Sequence, residues 1–278
     1  MYPRCEELFI PDKITSDAAF KRTTHLAIGA HQDDLEIMAW HGISQCLEAL
    51  DKWFGGVVVT DGAGSPANGK YAALSKDELR ALRNDEQKKA AMLGRYSFIY
   101  MPGYPSSTVR NCSEKEVAEI LSDIIIKAQP EIIYTHSPFD RHDTHVAVFL
   151  RVIEALKGLA GCYKPVKLYG CEVWRSLDWL DSDSRVSLDC SKHPDVSTGI
   201  IRVFDSQIGS GKFYDKAVEG RRLANATFDD AYKQDASSSV SYAVDLMPLL
   251  EGISVMDFVS QKIDSFCKDV KDRIVKLA

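Results

Sequence analysis

The sequence predicts an α/β protein: a mostly parallel sheet with helices on both faces. Three observations carry that reading. Short apolar runs recur at 25–30, 54–60, 97–101, 131–136 and 166–174. Stretches with helical spacing or helix-start signals lie between them. The runs are apolar throughout, as strands covered on both faces must be.

Taken in order, HLAIGA (25–30) is the first of these strands. Residues 31–50 continue with helical spacing through Leu35, Met38, Ile43, Leu47 and Leu50. FGGVVVT (54–60) is the second strand and ends at Asp61-Gly62. The stretch 61–74 is rich in Gly, Ala and Ser, and so reads as a long loop of the kind that usually serves a site. Ser75 and Glu78 have capping-box spacing, opening a helix that runs to Leu93 and stops at Gly94. SFIYM (97–101) follows as the third strand. Ser113 with Glu116 opens another helix, bounded by Pro130. EIIYTH (131–136) is the fourth strand, a helix starts near His145, and VKLYGCEVW (166–174) is the fifth strand. Beyond 175 the pattern weakens to a helix over 213–226 and an amphipathic helix from Ser254 to Leu277. The latter carries Val255, Phe258, Val259, Ile263, Phe266, Val270, Ile274 and Leu277, a face expected to pack on the core.

Composition narrows the function classes. The chain has 278 residues, 45% hydrophobic and 27% charged, which is ordinary for a soluble globular protein able to bury a sizeable core. A net charge of −6 argues against a nucleic-acid surface. No apolar run approaches the ~18 residues of a membrane span. The start, MYPRCEELFIPDK, has acidic residues where a secretory leader would be apolar. Seven scattered cysteines form no CxxC pair, which points to reduced thiols and a cytoplasmic location. A small-molecule partner is therefore expected, with no nucleic acid and no membrane; a homo-oligomer stays open.

Two polar clusters follow directly on apolar strands. His31-Gln32-Asp33-Asp34-Leu35-Glu36 follows the first, and the run from His136 to His145 follows the fourth. In a doubly wound sheet of order 3-2-1-4-5 those two strands are neighbours, and ligands bind in the crevice at their carboxyl ends. Catalytic zinc takes three His or carboxylate ligands and leaves a position open. His31 and Asp34 are three apart and can face one way on a helical turn, a spacing that His142 and His145 repeat. With His31, Asp34 and His145 as ligands, one negative charge meets two positive ones and the ion stays a strong Lewis acid. The competing reading is that Asp33 and Asp34 only cap a helix and that His142 and His145 are solvated. Each motif alone fits it; both at one switch point favour a metal site. His25, His41 and His193 have no such setting and are read as structural, and His136 as a supporting residue or a plain strand end.

The residues also resemble a known family. AHQDDLEI (30–37) resembles the AHPDDxE signature of the PIG-L/LmbE-like deacetylases, and DRHDTHVAV (140–148) resembles their second, HPDH-type motif. TDGAGS (60–65), RNDE with AAMLG (83–94) and DSQI (205–208) are similar to further family elements in the same order. The resemblance covers about 24–225 and implies a Rossmann-like, LmbE-like α/β fold. The chain then reads as one deacetylase domain over 1–278, with a C-terminal helical extension over about 226–278. It implies one Zn2+ per chain, held by His31, Asp34 and His145, although another divalent metal could serve. By the same resemblance Asp33 is the general base and His142, when protonated, assists the tetrahedral intermediate. Arg83, and more loosely Asp61, contact substrate. Gln32 replaces the family's usual proline, and Thr144 its usual aspartate, so Asp140 or Asp143 would orient a ligand imidazole. The implied reaction removes an acetyl group from an N-acetylglucosamine-type conjugate and releases acetate and a free amine. The alternatives are another metal-dependent hydrolase, acting on a non-sugar amide or a phosphoester, and a binding protein without catalysis. A nucleotide binder would use GAGS (62–65) or GSGK (209–212), but neither has the full phosphate-loop pattern.

Overall fold

The structure, a computed structural model, describes residues 6–64, 69–209 and 211–278. Eight strands make one sheet: β1 (Glu7–Phe9), β2 (His25–Gly29), β3 (Phe54–Val58), β4 (Phe98–Met101), β5 (Ile132–His136), β6 (Lys167–Cys171), β7 (Val186–Asp189) and β8 (Val240–Asp245). Their order is β1-β4-β3-β2-β5-β6-β8-β7. The middle five pair in parallel, and they are the five strands expected from the sequence in the expected 3-2-1-4-5 order. β1 lies antiparallel on β4 at one edge; β8 pairs antiparallel with β6, and β7 with β8.

Alternate strand residues point to opposite faces, and each face meets its own helices. Leu26, Ile28, Phe98, Ile133 and Leu168 pack under α1 (Ser16–Lys21) and other helices of that side. Ala27, Val58, Ile99 and Tyr134 pack under α2 (Asp34–Met38), α3 (Trp40–Cys46) and α4 (Lys76–Leu93). The first face is completed by α5 (Ser106–Arg110), α6 (Glu116–Ala128) and α7 (Asp143–Gly158), and the second by α8 (Pro194–Arg202), α9 (Asp205–Ile208) and α10 (Tyr214–Thr227). Two C-terminal helices, α11 (Met247–Leu250) and α12 (Val255–Leu277), complete the chain.

Several elements depart from the sequence reading. The expected helix over 31–50 breaks at Ala39 into α2 and α3, and Leu50 lies 94% exposed. The capping box forms at Ser75–Glu78, whereas α6 starts at Glu116 with Lys115, not Ser113, at its N-cap. Residues 226–278 are not a purely helical extension: β8 inserts into the sheet, and its residues from Val240 to Val244 are buried. The final helix departs most. Phe258 is buried at 2%, but Ile263, Val270, Ile274 and Leu277 are 47%, 43%, 64% and 77% exposed. Its first turns dock and its remainder runs past the core, because an apolar stripe defines a face without specifying a partner. Among the described residues no helix is long and apolar enough to cross a membrane. Both phosphate-loop readings include a residue outside the described ones, Ser65 in GAGS and Ser210 in GSGK.

His25 and His41 take the structural roles expected. The His41 ring meets Tyr134 Oη at 2.9 Å and Gln45 at 2.7 Å, and His25 meets Thr24 Oγ1 at 2.9 Å. Burial pushes both imidazoles down to about 4. Their contribution to stability is complete above the ordinary value of 6.5 and is lost as pH falls from there toward 4. Glu36 acts oppositely: burial raises it to about 7, so its contribution is lost as pH rises from 4.5 toward 7. The two effects offset in a global unfolding curve, so the check must be resolved by residue. In an NMR titration the His25 and His41 ring protons should stay flat from pH 7.5 to 5; an inflection near 6.5 would contradict this packing.

Candidate metal centre and adjoining cavity

β2 and β5 lie side by side, with Ile28 opposite Thr135, so the chain leaves both strands at the same edge of the sheet. After β2 it turns through His31, Gln32 and Asp33 into α2; after β5 it loops from Ser137 to His142 and enters α7. Topology alone therefore brings the two polar clusters together.

His31 Nδ1 lies 3.2 Å from His145 Nε2 and 3.3 Å from Asp34 Oδ2, and His145 Nε2 lies 3.4 Å from that same oxygen. Ligands about 2.0–2.1 Å from a tetrahedral zinc ion are spaced about 3.3–3.4 Å from one another. Three donor atoms already at that spacing, two of them ring nitrogens and one a carboxylate oxygen, fit a divalent cation. Asp34 Oδ2 also accepts from the backbone amides of Ala30 and His31 at 3.1 and 2.7 Å. Burial opposes the charge on Asp34, but His145 and His136 outweigh it and hold the carboxyl well below its usual range. Burial also pushes His145 down to about 4, which keeps the ring neutral as a ligand must be.

Two three-residue groups could hold an ion among the described residues: His31 with His142 and His145, and Asp34 with His136 and His145. They share His145 and form one locus. His136 is fully buried, stacks on His145 at 3.9 Å and accepts the Ala30 amide at Nε2 (2.9 Å). It shares the Ala30 amide hydrogen with Asp34 Oδ2 and lies 3.4 Å from that oxygen, a place in the cluster that its position at the end of β5 only hinted at.

Asp140 lies against the His145 ring. Its Oδ2 lies 3.4 Å from His145 Nδ1, and the carboxylate accepts from the amides of His142 (2.9 Å) and Trp174 (3.1 Å). Burial would raise it, but the His145 ring, and then the His142 amide, bring it down to about 2. Asp143 has no share in this contact. It is exposed in the first turn of α7, because the helix starts there and turns it outward. Asp140→Ala is expected to weaken metal binding about 10- to 100-fold. Competition with a chromophoric chelator measures this, and unchanged affinity would remove Asp140 from the support of His145.

Asp33 is 5% exposed and lines a cavity of about 560 Å3 together with His31, Asp34, His142, Trp174 and Tyr214. Burial raises its carboxyl well above the usual range, with help from Asp34 and Glu36, while Arg83 and Gln207 oppose the shift. His142 caps α7 and its Nδ1 accepts from the Thr144 amide at 3.2 Å. Burial, and then the His31 charge, lower its pKa. With Nδ1 accepting from the Thr144 amide, Nε2 is the ring nitrogen left to donate.

Arg83 and Asp61 are not among the residues lining the cavity. Arg83 is 3% exposed and donates to the Gly62 carbonyl behind Asp33; Asp61 pairs with Arg80 at 3.0 Å and accepts from the Ala63 amide. Through these contacts both hold the turn that follows β3. Gly62 itself has φ +67°, and a Cβ there would collide with the Gln32 side chain. Sequence reasoning did not name Arg110, Trp174, Tyr214, Gln207 or Arg221 as lining residues. Gln207 carried a signal through DSQI, and its amide donates to the Gln32 carbonyl; Trp174 carried one as an aromatic able to flank a sugar ring.

Residues 26–156 match the model of the PIG-L family, described as GlcNAc-PI de-N-acetylase. No curated protein matches the chain by sequence. Among solved structures, an N,N'-diacetylchitobiose deacetylase from Pyrococcus horikoshii is similar at 17% identity and TM-score 0.65, covering 90% of this chain and 93% of that one. GalB, the 4-carboxy-2-hydroxymuconate hydratase from Pseudomonas putida, is similar at 18% and 0.61, covering 81% and 96%. A teicoplanin deacetylase solved in a zinc-inhibited form is similar at 14% and 0.54, covering 80% and 97%. At these identities the likeness is one of fold.

Proposed function

From the PIG-L domain that residues 26–156 form, we propose that this chain is a zinc-dependent N-deacetylase acting on an N-acetylglucosamine-type conjugate. The observation that carries the proposal is the spacing of His31, Asp34 and His145 at 3.2–3.4 Å, with the Asp33 carboxyl beside them in one cavity. Those three residues would hold the cation, which when bound supplies Lewis acidity toward the amide carbonyl and the attacking water. Asp33, raised by burial, takes the proton of that water. His142 donates its Nε2 proton as a hydrogen bond to the oxygen on which negative charge develops. Asp33 then returns that proton to the departing amine as the C–N bond breaks, a delivery that His142 could also make. Acetate and a free amine result.

The cavity's volume and the indole of Trp174, 39% exposed, suit a sugar-sized substrate with an apolar ring face. The described cysteines are all free, which supports a reducing compartment such as the cytoplasm. Because a fold shared with GalB does not choose a reaction, acetate release is the test. The zinc-loaded protein should liberate acetate from small N-acetylglucosaminides and stop when a chelator is added. Release from none of them, or release that survives complete metal removal, would reject the proposal.

A further inference from the structure

Glu36 and Gln87 are fully buried, neither lines the cavity, and neither belongs to the metal cluster. A buried carboxyl is costly, so one that no site uses calls for a reason. The reason lies in the backbone of Asp33, which stands at φ +88°, ψ −26°, where L side chains seldom go. This turn separates two adjacent carboxyls. Asp34 is held by the Ala30 and His31 amides, while Asp33 lines the cavity beside it.

The Asp33 amide donates to Gln87 Oε1 at 3.4 Å. Gln87 Nε2 donates to Glu36 Oε1 at 2.8 Å, and the Tyr96 hydroxyl donates to the same oxygen at 2.7 Å. With its NH2 group engaged by Glu36, the buried Gln87 amide can present only its oxygen to Asp33. Arg222, also buried, donates to the carbonyls of Glu36 and Ile37 at 2.9 Å each and fixes the helix turn that carries Glu36.

We propose that Gln87, oriented by Glu36, is the positioning residue that holds Asp33 in its left-handed turn and so aims the base. The role of Asp33 as base rests on the function proposed above; the hold on its backbone does not. The test uses the zinc-loaded protein with Gln87→Met, Glu36→Leu and Glu36→Gln. Gln87→Met should lower kcat about 100-fold, the scale of a small misplacement of a catalytic group, with KM and zinc content unchanged. Glu36→Leu should behave alike. Glu36→Gln should restore near-normal kcat, because its amide oxygen still accepts from Gln87 and Tyr96. By NMR, the Asp33 amide should exchange slowly in the wild type and several-fold faster in Gln87→Met.

Wild-type kcat in Gln87→Met, equal loss in Glu36→Gln and Glu36→Leu, or a freely exchanging Asp33 amide in the wild type would overturn the proposal. If the wild type released no acetate at all, the function would fall while the exchange measurement still decided the positioning. If Gln87→Met failed to fold, the two Glu36 variants and the wild-type exchange would decide it.

Discussion

Replacing His145 with alanine is expected to strip the protein of its metal and its turnover together. The ring is fully buried, its Nε2 is 3.2 Å from His31 Nδ1 and 3.4 Å from Asp34 Oδ2, and Asp140 backs it at 3.4 Å. Without it, His31 and Asp34 offer two donors where a catalytic zinc ion needs three. Elemental analysis and acetate release should fall in step. Full zinc content with retained turnover would remove His145 from the ligand set.

Asp33→Asn should separate what His145→Ala removes together. Asp33 contributes no atom to either ligand group, so zinc content should match the wild type. Turnover should fall about 100- to 10,000-fold, the range of a lost general base. The pH profile carries the sign. Burial raises the Asp33 carboxyl, and the base must be ionised to take a proton. Wild-type kcat should therefore climb with pH along a limb above the ordinary carboxylate range, and that limb should be absent from the residual activity of the variant. Equal activity in the two proteins would remove Asp33 from the mechanism.

Much of this was legible in the chain itself. The five parallel strands and their order follow from runs apolar enough to be covered on both faces. The meeting of His31, Asp34 and His145 follows from where they stand after the first and fourth of those strands. What escaped has a common cause. β1 is three residues long and β7 four, too short for a pattern, and β8 was obscured by the weak signals around it. The face of α12 was periodic, but periodicity is silent on whether anything covers it.

The scaffold and the donor atoms are properties of the linear chain, because backbone pairing and metal chemistry depend on residue type and spacing. Which carboxylate supports which ring is a property of the packed molecule. Asp140 serves His145 and Asp143 does not, although both stand in the same loop-to-helix stretch. Packing likewise set Arg83 against the Gly62 carbonyl and Asp61 against Arg80, and joined Gln87 to Asp33 across the gap between α4 and α2. Those assignments depend on side-chain direction and on burial, and both are set by what packs from distant parts of the chain.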